Sequence, residues 1–242
     1  LAVAGRAQGT NEAGAWVRQL AETDDKERAI PFGFVIESAT GHKVVAFNPT
    51  NAVDAEVARR IGESLERVLL RMNGDDSPLR TVKRINEASR FFEIALREEL
   101  NRGDGIVCTV PTTEDGRSQR SGYPDLKLVH RASGRVFYLD PKLRGPTARS
   151  SSLRTFYYEP RFATNKVLDD AVHLLVGIEH DGAAAGEWTF TRWELVDLSS
   201  LKLELKAEFQ ASNRDLYQPA TIIGRSPEAD EKQTGAPKAE RP

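Results

Sequence analysis

The spacing of apolar positions changes after residue 103, from a helical period to an alternating one. Residues 53–73 set Val57, Ile61, Leu65 and Leu69 four apart, which predicts an amphipathic helix stopped at Gly74. Residues 80–101 predict a second helix, with an apolar stripe centred on Ile85, Phe92 and Leu96 and a stop at Gly103 and Gly105. Beyond it, Ile106–Val110, Tyr123–His130 and Arg135–Leu143 read as strands, the last two joined through Arg131–Gly134. Residues 164–175 carry Val167, Leu168, Ala171, Val172 and Leu175 on one side and predict a helix, followed by strands at Val176–Glu179 and Trp188–Val196. Towards the N-terminus, a short helix is expected over 11–22. A hairpin is expected from Phe32–Ile36 and Lys43–Phe47 around Thr40 and Gly41. Leu201, Leu203 and Leu205 alternate like a strand, although their lysine and glutamate neighbours also suit a helix.

The central order is helix, three strands, helix, strand, an α/β arrangement with an N-terminal hairpin and helix added. We therefore divide the chain into an N-terminal extension (1–79), a core with C-terminal strands (80–222) and a polar tail (223–242), the tail expected to be disordered. The 242 residues are 39% hydrophobic and 29% charged, enough to bury a core. No stretch reaches the roughly 18–20 consecutive apolar residues of a membrane helix. One cysteine, Cys108, and four scattered histidines exclude a disulfide scaffold and a zinc finger. A cytoplasmic protein is the expectation. The small residues of Leu1–Ala7 also fit the remnant of an export signal, or a trimmed start.

The second and third strands carry the candidate chemistry. With a two- or four-residue turn centred on Ala132 and Ser133, opposed residue numbers sum to 265, and Asp125 lies across from Asp140. Side chains alternate. One face collects Leu126, Leu128, Phe137, Leu139 and Pro141; the other collects Asp125, Lys127, Tyr138, Asp140 and Lys142. Facing carboxylates repel, so they take a cation between them or keep a proton. Oxygen ligands favour a hard divalent ion such as Mg²⁺, with Mn²⁺ as the alternative. A surface lattice of salt bridges is the other reading of this face.

Tyr123-Pro124-Asp125, followed after a hairpin by Asp140-Pro141-Lys142, resembles the signature of the PD-(D/E)xK nuclease superfamily, the restriction-endonuclease-like fold. The resemblance runs from about residue 80 to 181. It implies a metal-dependent endonuclease hydrolysing DNA phosphodiester bonds, with Asp125 and Asp140 as ligands of Mg²⁺ and Lys142 orienting the attacking water and offsetting phosphate charge. That family often sets an acidic residue on the preceding helix. Glu93, at the margin of the apolar stripe, is the choice here, contributing to the ion or its water. Restriction-type enzymes of this size often work as homodimers on symmetric sites. Pro141 departs from the usual pattern by removing a backbone donor from a strand. It favours the second reading, an inactive nucleic-acid-binding or interaction module on the same scaffold.

Although the net charge is −2, Arg117 to Lys166 holds eleven Lys or Arg against three acids. Arg144, Arg149, Arg154 and Arg161, beside Ser150–Ser152 and the aromatics 156–158, are candidate phosphate contacts. The four histidines show no ligand spacing and are read as structural.

Overall fold

The computed structural model describes residues 14–15, 17–18, 28–118, 122–148, 156–183, 187–205, 210–220 and 222–223. The chain divides into two units, one of residues 21–205 and one of 1–20 with 206–242. The first contains all the candidate site residues. In the second, residues 14–15 and 17–18 are helical, and Ser212 caps the short helix Asn213–Leu216. The remainder of the expected 11–22 helix, and the tail beyond Ile223, lie outside the described residues. Among the described residues, no helix is long and apolar enough to cross a membrane.

Strand β1 (Arg28–Pro31) leads into helix α1 (Phe32–Thr40), which replaces the first arm of the expected hairpin. Its signals were a helix's own. Pro31 precedes it, Phe32 and Ile36 are buried four apart, and Gly41 closes it at φ 77° with its N–H on the Glu37 carbonyl. Strand β2 (Val44–Val45) is two residues long. Helix α2 (Ala52–Asn73) matches its expected span and is capped by the Asn51 side chain, which accepts from the Val53 and Asp54 N–H groups. Helix α3 runs Ile85–Leu100, since residues 80–84 form a turn and irregular chain instead of a first helical turn.

Strands β3 (Ile106–Thr109), β4 (Leu126–His130) and β5 (Val136–Arg144) follow as an antiparallel meander. The expected helix over 164–175 is not formed. Its C-terminal part belongs to β6 (Ala171–His180), which also absorbs the strand expected at 176–179, and a 3₁₀ turn at Phe162–Thr164 precedes it. Nine of its ten residues are buried, and a strand covered on both faces loses its alternation and reads as one apolar run. Strand β7 (Phe190–Asp197) returns antiparallel to β6, and β8 (Lys202–Glu204) pairs with β1 in a separate two-stranded sheet. The architecture remains α/β, a mixed sheet flanked by helices as in a restriction-endonuclease-like core.

The sheet order is β2-β6-β5-β4-β3, with β7 also on β6 and with β5 and β6 parallel. Helices α2 and α3 share one core with Leu126, Leu128, Phe137 and Leu139. A smaller cluster joins Phe32 and Ile36 to Tyr123, Tyr138 and Val167. By alternation, Asp140 and Lys142 stand on the Tyr138 side of β5.

The β4–β5 register is the expected one: Leu126↔Leu139, Lys127↔Tyr138, Leu128↔Phe137 and Val129↔Val136. Strand β4 starts later than residue 123, and two prolines explain why. His130 donates its N–H to the Arg135 carbonyl at 2.9 Å, so odd-numbered residues of β5 turn their backbone groups towards β4. The next hydrogen-bonded pair beyond Leu126↔Leu139 would set Pro124 against Pro141, and neither has a donor. The ladder ends there. Pairing of β5 to β6 continues through Pro141↔Val176 and Lys142↔Gly177 without a register shift. Pro141 therefore costs that ladder nothing.

Candidate active site

Asp125 sits in the bend that enters β4, immediately after the ladder ends, while Asp140 and Lys142 lie on the part of β5 that outruns β4. Lys142 Nζ is 2.7 Å from Asp140 Oδ2 and 3.6 Å from Asp125 Oδ2. The three side chains form one cluster at the edge of the sheet.

Asp140 is 1% exposed, and both its carboxylate oxygens are buried without a well-aligned hydrogen bond, their polar neighbours being the Lys142 ammonium and the Asp125 carboxyl. Burial, reinforced by the charge of Asp125, pushes its pKa up to about 7. Burial acts to lower the pKa of Lys142, but Asp140 and Asp125 outweigh it and hold the ammonium above the ordinary lysine value. Buried oxygens so placed, facing a second carboxylate, are what a hard divalent ion would complete. Asp125 and Asp140 fit such an ion.

Glu93, half-buried on α3, lines a cleft with Asp125, Leu126, Val110, Arg90 and Arg97. It does not join the two aspartates as a third ligand. Among the described residues, no three of His, Cys, Asp and Glu are grouped to hold an ion.

The sequence pattern of the type II restriction enzyme MjaV family matches residues 24–220. The chain belongs to that family. A relative from Methanocaldococcus jannaschii, named type II restriction enzyme MjaV, is 30% identical over 217 residues, or 86% of this chain and 92% of its own length. The matched segment of this MjaV-family chain contains the whole cluster.

The four arginines expected at phosphates divide. Arg144 is only 11% exposed and pairs with Glu179 at 2.9 Å and Glu194 at 2.8 Å, so its charge is committed inside the fold. That position is corrected to a structural one: at the end of β5, its side chain reaches carboxylates on β6 and β7 instead of solvent. Arg161 is exposed and pairs with Glu159. Arg149 and Arg154, with Ser150–Ser152, lie outside the described residues. Phe156 and Tyr158 pack against the second cluster, whereas Tyr157 is exposed.

Three basic residues near the candidate site were missed. Arg90 and Arg97 flank Glu93 at helical spacings of three and four, a pattern visible in the sequence. Lys166 is buried beside Gly122, and the charges acting on it include Asp125 and Asp140. His173, expected in a helix, lies in β6. Burial lowers its pKa to about 3, and it shares a 2.7 Å hydrogen bond with the Tyr123 hydroxyl, two residues before Asp125.

Proposed function

We propose that this chain is a restriction-type endonuclease of the PD-(D/E)xK kind, hydrolysing DNA phosphodiester bonds with Mg²⁺ or Mn²⁺ held by Asp125 and Asp140. The observation that carries the reading is Asp140, a buried carboxylate without a well-aligned hydrogen bond, facing Asp125 and bridged to it by Lys142. Membership of the MjaV family supports the same substrate and reaction. When bound, the ion supplies Lewis-acid stabilisation of the charge that grows on the phosphate.

The chain's own residues do the rest. Asp125 and Asp140 orient the ion at the sheet edge. Lys142, on the same face as Asp140 and 27% exposed, reaches the phosphate and offsets its developing charge, or directs the attacking water. Glu93, in the adjoining cleft, acts on solvent entering from the α3 side. Arg90, Arg97 and Arg161 bind the DNA backbone, and the active assembly is a homodimer matched to a symmetric site. Pro141, the feature favouring an inactive scaffold, costs the β6 ladder nothing and gives that reading no support.

The test is cleavage of plasmid and linear DNA by purified protein, with Mg²⁺ and with EDTA. Wild type should cleave only with the ion, and Asp125→Asn and Asp140→Asn should not cleave. Equal cleavage in EDTA, or by either variant, overturns the proposal.

A further inference from the structure

Lys166 is a lysine taken almost wholly out of water. It is 1% exposed, and its ammonium donates to the Gly122 carbonyl at 2.7 Å, three residues before Asp125. The backbone beside it is fixed. Asn165 accepts from the Val167 N–H and donates to the Val167 carbonyl, both at 3.0 Å, and Val167 is fully buried in the cluster that contains Tyr123 and Tyr138. The ammonium is thus in place before any substrate arrives.

Burying an ammonium is costly unless opposite charge faces it. The carboxylates acting on Lys166 are Asp125, Asp140 and Glu93, in that order, with Lys142 opposing them; burial still leaves its pKa below the ordinary lysine value. Lys166 reaches this position from the β5–β6 connection, independently of the strand that carries Lys142.

Resting on the site proposed above, we infer that Lys166 is a positioning residue of that site: it pins the Gly122–Asp125 segment and supplies a fixed second positive charge, so the site takes one divalent ion and not two. Asp125 and Asp140, with Glu93 in the cleft that Asp125 also lines, bring three formal negative charges that all act on Lys166, and Lys142 and Lys166 bring two positive. One divalent ion and one phosphodiester then leave the assembly neutral. Without Lys166 it is one positive charge short, and a second ion becomes the favourable way to supply it. A charge already oriented on the chain also needs no reorganisation as the reaction proceeds.

The experiment counts Mn²⁺ bound by the full chain without DNA, from the paramagnetic resonance of free ion. Alongside it, the order of single-turnover cleavage in Mn²⁺ is measured. Wild type should bind one ion per chain and cleave with first-order dependence. Lys166→Met should bind a second ion, cleave about 10²–10³ more slowly and become second order in metal, and Lys166→Arg should restore the single-ion behaviour. Two ions on wild type overturn the inference whether or not Lys166→Met folds. So does Lys166→Met with an unchanged ion count, even at reduced rate, because that is a packing effect alone. Asp140→Asn, run in parallel, separates the two levels: if it binds Mn²⁺ and cleaves like wild type, the site reading has failed, whatever Lys166 does.

Discussion

Replacing Asp140 with asparagine should make the metal-free protein more stable at pH 8 while stopping cleavage. The native carboxyl is buried, lacks a well-aligned hydrogen bond and faces Asp125, so its pKa stands near 7 instead of the ordinary 3.8. The folded state therefore holds a proton that the unfolded chain has released between about pH 4 and pH 7, and wild-type stability falls as pH rises through that window. Above it, at about 1.4 kcal/mol per unit, the charge costs on the order of 4 kcal/mol. The amide avoids that cost but loses the pairing that keeps Lys142 raised against its burial, so the net gain at pH 8 is smaller than that. Urea unfolding of both proteins in EDTA, in steps from pH 4 to 8.5, measures the difference directly. It should vanish near pH 4 and reach its full value by pH 7–8. A difference that does not vary with pH, or a less stable asparagine variant at pH 8, would refute the electrostatic account of the site.

Saturating Mg²⁺ should offset much of that difference, stabilising wild type by about 2.7 kcal/mol at a hundredfold excess over Kd and leaving Asp140→Asn unmoved in thermal melts. Lys142→Ala should slow single-turnover cleavage about 10²–10³-fold at saturating metal, and in EDTA it should destabilise the fold at pH 8 more than at pH 5, because both aspartates lose their cation. Arg144→Ala should cost about 2–4 kcal/mol in denaturant unfolding, since Glu179 and Glu194 each lose a buried ion-pair partner. Arg161→Ala should leave stability within about 0.5 kcal/mol and flatten the slope of log affinity against log salt by about 0.9, read from DNA titrations at several salt concentrations.

The hairpin at the centre of the site was legible because two signals agreed: the period-two alternation of Leu126, Leu128, Phe137 and Leu139, and a turn around Ala132 and Ser133 that fixes the register. Helix α2 was equally plain from its four-residue spacing and the stop at Gly74. Strand β6 was not, because Val167, Leu168, Ala171, Val172 and Leu175 satisfy a helical spacing as well as a strand buried on both faces. Residues Phe32–Ile36 misled in the opposite direction: five apolar-looking positions outweighed the proline before them and the glycine after. Lys166 had no local signal at all. Nothing about one lysine in a loop says it will be folded under the sheet edge; only the return of the connection towards β6 puts it there.

The two prolines that end the β4–β5 ladder also decide what can reach the cluster. A strand end with free backbone groups is a docking edge, and a peptide or another sheet can extend it. Here the zipper stops one tooth early, and the tooth after it is missing from both halves. An extended polypeptide laid along the end of β5 would find no N–H at Pro141 to pair with, and Pro141 is itself buried, so the edge is closed to other strands. A polyanion, which seeks cationic side chains and has no ladder to complete, meets no such obstacle. Pro124→Ala with Pro141→Ala would return the missing donors, and the gap kept open between Asp125 and Asp140 would become one more rung of sheet.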